Sequence, residues 1–236
     1  MKKSHAIGIG VLITAIVLSI IVLSFFGGKN QEKESITSSE LRLAEPRVEG
    51  KFSLEQALQE RRSIRDYSSR ALTLAEVSQV LWAAQGITGP SGLRTAPSAR
   101  ALYPLELYLV AGDIQDLSAG IYHYVPSDHS LVLHRTGDVR GELCSSALDQ
   151  VAVRDAPAVI IITAFPSRTM QKYGERGTRY VWLEAGHASQ NICLQAVTLG
   201  LGTVPIGAFD DLGVSELLEL DEHEEPIYLM PIGAVS

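Results

Sequence analysis

Residues 7–26, IGIGVLITAIVLSIIVLSFF, form a run of twenty residues without a single charge. At about 1.5 Å of rise per residue, a helix of that length spans roughly 30 Å, the hydrocarbon thickness of a bilayer. Lys2 and Lys3 ahead of it resemble the basic start of a cleaved signal peptide. The run exceeds the usual signal core of about 7–15 residues, however, and no A-x-A-like cleavage site follows it. The sequence therefore predicts a basic segment over 1–6 and an uncleaved transmembrane anchor over 7–26. Lys29 and Lys33 balance Lys2 and Lys3 across that anchor, so the positive-inside rule leaves its orientation open.

Residues 27–50 are polar and lack sustained apolar periodicity, which predicts a tether. From Lys51 onward the pattern is that of one globular domain, 51–236. A net charge of -7 argues against a general affinity for nucleic acid, because few phosphate counterions can be released. Cys144 and Cys193 are far apart and form no CxxC pair, and the six histidines show no ligand spacing, so a metal site is not expected.

Within the domain, SLEQALQERR opens with Ser53 and Gln56 in capping-box spacing, and TLAEVSQVLWAAQG repeats the device with Thr73 and Glu76. Val77, Val80, Leu81 and Ala84 share a face of the second helix, and Gly86 ends it. LELYLVAG, GIYHYV and SLVLHR read as short strands, PAVIIITAF as a buried one, and IYLMPIGAV as the last. Further helices are expected behind Asp138, over about 178–199, and around SELLEL. Interleaved helices and hairpin-like strands predict an α+β sandwich with a mixed β-sheet packed by helices.

Arg61, Arg62 and Arg65 fall within five positions, at the expected end of the first helix. A helix C-terminus favours cations by about 0.3–1 kcal/mol each, which accounts for one or two of them. Three, with Ser63 among them, also make a set of forked donors and a hydroxyl suited to a phosphate. TAPSARALYP reads either as a loop leading into a strand or as a site where small residues framed by Pro97 and Pro104 let backbone approach a flat ring, and Gly207 and Ala208 in GTVPIGAFDD leave amides open to a ligand in the same way. No GxGxxG, P-loop or GxSxG pattern is present.

In that order, RRSIRDY, TAPSARALYP, GIYHYV, KYGERGTRYVWLEAGHASQN and LGLGTVPIGAFDD resemble the flavin-dependent nitroreductase superfamily. They are closest to its azoline dehydrogenase branch, SagB-type and ThcOx-like, which matures thiazole- and oxazole-containing peptides. The resemblance covers roughly residues 51–235. It implies a homodimer with FMN at the subunit interface and a phosphate and ribityl grip by Arg61, Arg62, Ser63 and Arg65. It also implies approach of Pro97, Ser98 and Ala99 to the flavin from the partner subunit. Pro205, Ile206, Gly207 and Ala208 would pack on the isoalloxazine. The branch's catalytic Lys-Tyr pair falls on Lys172 and Tyr173. His187 and the small residues around it, with Trp82 and Trp182, are expected to pack in the core or against a second subunit.

The chain departs from the family in three ways. It ends at GAVS without the basic residues that often follow the last strand. It carries Ala99-Arg100 where relatives often have Ala-Gly, and it has an anchor. The expected function is a membrane-anchored FMN-dependent oxidoreductase acting on a small molecule or peptide, with azoline oxidation as its narrower form. NAD(P)H-dependent reduction of nitro compounds or quinones, and a non-enzymatic flavin-binding or docking role, stay open. FMN synthesis in the cytosol and the lack of a twin-arginine signal favour a cytoplasmic face.

Overall fold

The computed structural model describes residues 40–235; the expected anchor at 7–26 lies outside the described residues. Among the described residues no helix is long and apolar enough to cross a membrane.

The strands are β1 (Glu40–Arg42), β2 (Leu105–Ala111), β3 (Gly120–Val125), β4 (Ser130–Thr136), β5 (Ala158–Ala164), β6 (Leu201–Thr203) and β7 (Glu225–Ala234). They form one sheet in the order β1-β4-β3-β2-β5-β7-β6. Every pairing between these strands is antiparallel, which corrects the expected mixed sheet. Among the described residues, parallel contact is confined to isolated bridges, Ser63 with Thr203 and Leu72 with Ile114. The sequence pattern reveals which segments are strands, but hairpin neighbours and long returns carry the same alternation.

The helices are α1 (Leu54–Glu60), α2 (Leu74–Gln85), α3 (Arg140–Ser146), α4 (Val151–Asp155), α5 (Pro166–Tyr173), α6 (Arg176–Thr198) and α7 (Asp211–Leu217). Both expected capping boxes form, Ser53 with Gln56 and Thr73 with Glu76. α5 is a helix that the sequence pattern does not announce, and α7 starts four residues earlier than SELLEL suggests. Pro166 at the first position of α5 starts it without wasting a backbone donor.

β5 explains the layering. All seven of its residues are buried, and the period of two sends them to different cores. Ala158, Ile160, Ile162 and Ala164 pack with Val80 and Leu81 of α2 and with Val181, Ala185, Ala188 and Ile192 of α6. Val159 and Ile161 pack on the opposite face with Leu143 of α3 and Val214 of α7. The small residues Ala185, Ala188 and Ser189 are thus buried within this chain rather than left for another helix. Trp182 is 60% exposed and His187 is also exposed, so neither packs in the core of this chain.

Part of the polar stretch assigned to a tether is built into the domain. β1 pairs with β4, and Leu43 is buried in the core. His129 clasps this segment: its Nε2 lies 2.9 Å from the Ala44 carbonyl and its Nδ1 2.9 Å from the Tyr124 hydroxyl. Burial holds the His129 imidazole below its ordinary range, partly offset by the Ala44 carbonyl. The unfolded chain therefore takes up a proton near pH 6.5 that the folded chain resists. This contribution to stability is complete above about pH 6.5 and is lost as the pH falls below it. A drop in the urea midpoint between pH 7.5 and 5.5, smaller in His129→Asn, is the expected result.

Candidate functional site

α1 stops at Glu60, so the arginines are not a helix end as a group. Arg61 is the C-cap residue, and Ser63 forms a parallel bridge with Thr203 on the outer edge of β6. Two glycines admit the chain there. A Cβ on Gly202 would lie 2.5 Å from Ile64 Cγ2, and one on Gly233 would lie 2.6 Å from the Tyr67 ring. Ile64 and Tyr67 therefore seat against bare backbone. The Ile64 amide donates to the Thr203 carbonyl at 3.0 Å, and the Tyr67 hydroxyl donates to the Ile64 and Pro231 carbonyls.

Ser63 and Arg65 are exposed and Arg61 is half-buried, with Ile64 and Tyr67 seated inward on Gly202 and Gly233. Arg62 folds back, donating to the carbonyls of Gln59 at 2.9 Å and Arg61 at 2.7 Å. It performs the helix-end role that the sequence allowed for all three. Arg61 and Arg65 have no carboxylate partner among the described residues. Arg61 lies near Cys193 of α6, whose thiol burial pushes up to about 11 while the arginine pulls it back. Two forked cations and a hydroxyl within five positions fit a phosphate.

β6 leads directly from this strand's partner, Thr203, into the second predicted segment. Ile206 is buried and exchanges both backbone hydrogen bonds with Leu229 at 2.9 Å. Pro205 is half-buried, whereas Gly207 and Ala208 are exposed, and neither of their amides has an acceptor among the described residues. The Ala208 carbonyl is held by Gln150 Nε2 at 2.8 Å, which fixes the loop with those amides outward. The fold thus brings the arginine strand and the 205–208 loop together at one sheet edge.

The Pro97–Ala99 segment lies elsewhere, over the middle of α6. Ser98 precedes a 3-10 turn and accepts from the Tyr103 amide at 2.9 Å. Arg100, Ala101 and Tyr103 all adopt positive φ, between 46° and 55°, a costly cluster for residues with side chains. The turn is pinned through Tyr103. Arg94 lies 4.5 Å over its ring, and Arg168 donates to its carbonyl at 3.2 Å. Arg168 also pairs with Glu106 at 2.6 Å. Burial pushes the Glu106 carboxyl up, but its bonds from His123 and Arg168 outweigh that and leave it below the usual range.

Lys172 and Tyr173 end α5. Lys172 is exposed, and Tyr173 is half-buried with its ring edge-on to Tyr180 at 4.9 Å. In this chain they are not joined to the arginine strand. Measured along α6, Arg61 lies beside Cys193 and Ser98 beside Glu184, about 14 Å apart at 1.5 Å per residue. Sequence reasoning missed Glu184. It is 2% exposed, and burial raises its carboxyl to about 7, offset in part by Ser98 and Arg94. An acid on the apolar stripe between Val181 and Ala188 was the available signal.

Comparison with known proteins agrees with this architecture. Residues 58–234 match the Nitroreductase family. MJ1384 of Methanocaldococcus jannaschii, a nitroreductase by family assignment, is 46% identical over 182 residues, 77% of this chain and 91% of that protein. The trifolitoxin-processing protein TfxB of Rhizobium leguminosarum bv. trifolii is 31% identical over 139 residues, 57% of this chain but 37% of its own length. A Ralstonia eutropha JMP134 crystal structure, also assigned as a nitroreductase, has a TM-score of 0.72 at 29% identity, covering 84% of this chain and 90% of its own. The Escherichia coli microcin synthetase McbBCD complex, bound to truncated pro-MccB17, gives 0.65 at 22%, covering 92% and 82%. The Vibrio harveyi NADPH:FMN oxidoreductase gives 0.56 at 20%, covering 78% and 69%. The chain belongs to the nitroreductase family.

Proposed function

We propose that this chain is an FMN-dependent oxidoreductase whose phosphate clamp is Arg61, Ser63 and Arg65. The observation that carries the proposal is that Arg61 and Arg65, flanking Ser63 on the edge of β6, have no carboxylate partner among the described residues, whereas Arg62 is spent on backbone carbonyls. Arg62 is assigned to the helix end instead. FMN, when bound, supplies the hydride chemistry. The Gly207 and Ala208 amides present donors to the flavin ring and favour negative charge there, while Pro205 and Ile206 fix the loop that carries them. Pro97, Ser98 and Ala99 line the ring from a second subunit. Exposed Trp182 and Leu183 on α6 support such a homodimer. The apolar run 7–26 supports attachment of the enzyme to a membrane.

Peptide azoline oxidation is the favoured substrate class, supported by the trifolitoxin-processing relative and by the Lys172–Tyr173 pair at the end of α5. Forming the azole removes a hydride and a ring proton, and Lys172 accepts the proton once substrate or the second subunit covers its exposed side chain. Lys172→Ala is expected to lower kcat on an azoline peptide by about 100-fold or more, the scale of a lost general base, with FMN binding unchanged. Tyr173→Phe should act in the same direction. Equal turnover by both variants would remove the pair from the chemistry. The competing nicotinamide-driven reductase reading is tested by anaerobic NADPH, which bleaches the bound flavin bands if that reading holds and leaves them if it does not.

A further inference from the structure

We infer that Glu184 is the proton-exchanging group beneath the Pro97–Ala99 turn and takes up a proton when the flavin facing that turn is reduced. The inference rests on the FMN reading above. Its physical basis is a carboxyl that the fold buries without pairing.

Glu184 sits on α6 between Val181 and Ala188, both fully buried, and is itself 2% exposed. Its Oε1 has no hydrogen-bond partner among the described residues. Burial of a carboxylate without a partner is costly, so its charge is poised rather than fixed. The groups that bear on it are few. From the loop over α6 these are the Ser98 hydroxyl and the Arg94 guanidinium. Arg94 is committed elsewhere, donating to Gln85 Oε1 at 2.8 Å and lying over Tyr103, and it is itself balanced by Glu106 of β2 and Arg168 of α5. On α6 the nearest titratable residues a turn away are Tyr180 and His187, and His187 is exposed. No ion pair therefore holds Glu184 ionised.

Ser98 connects this carboxyl to the ligand face. Its hydroxyl accepts from the Tyr103 amide, so it has one proton to donate and Glu184 is the acid within its surroundings. Two-electron reduction by a hydride donor adds one negative charge to the flavin as it gains the hydride. That charge favours protonation of a nearby carboxylate: Glu184 gains one proton from solvent as the flavin gains two electrons and one proton. Reoxidation by a hydride acceptor reverses both.

The test is the pH dependence of the flavin midpoint potential in the full chain loaded with FMN, wild type against Glu184→Gln. Each proton taken up with two electrons moves the potential by about 30 mV per tenfold change in proton activity. The wild type is expected to take up two protons near neutral pH, and Glu184→Gln only one. Reduced-minus-oxidised infrared spectra should show a protonated carboxyl band in the wild type that is missing from the variant. An identical pH slope and an identical infrared difference in the two proteins would overturn the assignment. If Glu184→Gln does not fold, Glu184→Asp must shift the pH at which the slope changes, and an unshifted break overturns it equally. Failure of the FMN reading looks different: neither protein binds FMN, and the inference falls with it.

Discussion

Replacing Arg61 or Arg65 by alanine is expected to weaken FMN binding by about 10- to 100-fold each, whereas Arg62→Ala leaves it within a few-fold. A hydrogen bond to a charged group contributes about 1.5–3 kcal/mol, and each 1.4 kcal/mol is tenfold in affinity. Arg61 and Arg65 have no carboxylate partner among the described residues, while the Arg62 guanidinium is spent on the Gln59 and Arg61 carbonyls. Arg62→Ala should instead loosen α1 by about 0.3–1 kcal/mol, visible as a small fall in Tm. Flavin fluorescence quenching gives the affinities. Equal losses from all three substitutions would mean that the clamp is a diffuse cationic patch from which Arg62 is not set apart.

A substitution that touches no ligand should be nearly as damaging. Gly202→Val puts a branched side chain where a single Cβ already lies 2.5 Å from Ile64 Cγ2 and 2.7 Å from Ile64 Cβ. Ile64 must leave, and with it the amide bond to Thr203 that holds the arginine segment on β6. Overpacking of this kind costs about 1–3 kcal/mol in stability. The larger expected effect is on FMN affinity, which should fall by an amount comparable to losing Arg61 and Arg65 together. Ile64→Ala in the Gly202→Val background should restore part of both. A Gly202→Val protein that binds FMN normally would show that the strand does not depend on this seat.

The two effects mark where the sequence was legible. Elements fixed by local chemistry could be read directly: both capping boxes, the buried run of β5 and the long α6. Arg62, by contrast, looked equivalent to Arg61 and Arg65, because its role depends on where α1 stops and which way Ile64 turns. Those in turn depend on Gly202, some 140 positions away in sequence. β1 escaped notice because three residues carry no periodicity of their own, and only pairing with β4 makes them a strand. Long-range pairing likewise decided that the sheet is antiparallel throughout its named strands. Glu184 was hidden by its setting, an acid on a helix read for its packing stripe. The positive φ values at Arg100, Ala101 and Tyr103 are imposed by tertiary contacts to Arg94 and Arg168 rather than by any glycine.

The phosphate clamp is the claim on which the functional account stands, and a paired titration of the purified full chain with FMN and with riboflavin addresses it most directly. The two ligands share the ring and the ribityl chain and differ only in the phosphate. FMN should bind at least about 100-fold more tightly than riboflavin, the worth of two charged hydrogen-bonding groups at about 1.4 kcal/mol per tenfold. Equal affinities, or no binding of either, would contradict the assignment of Arg61, Ser63 and Arg65.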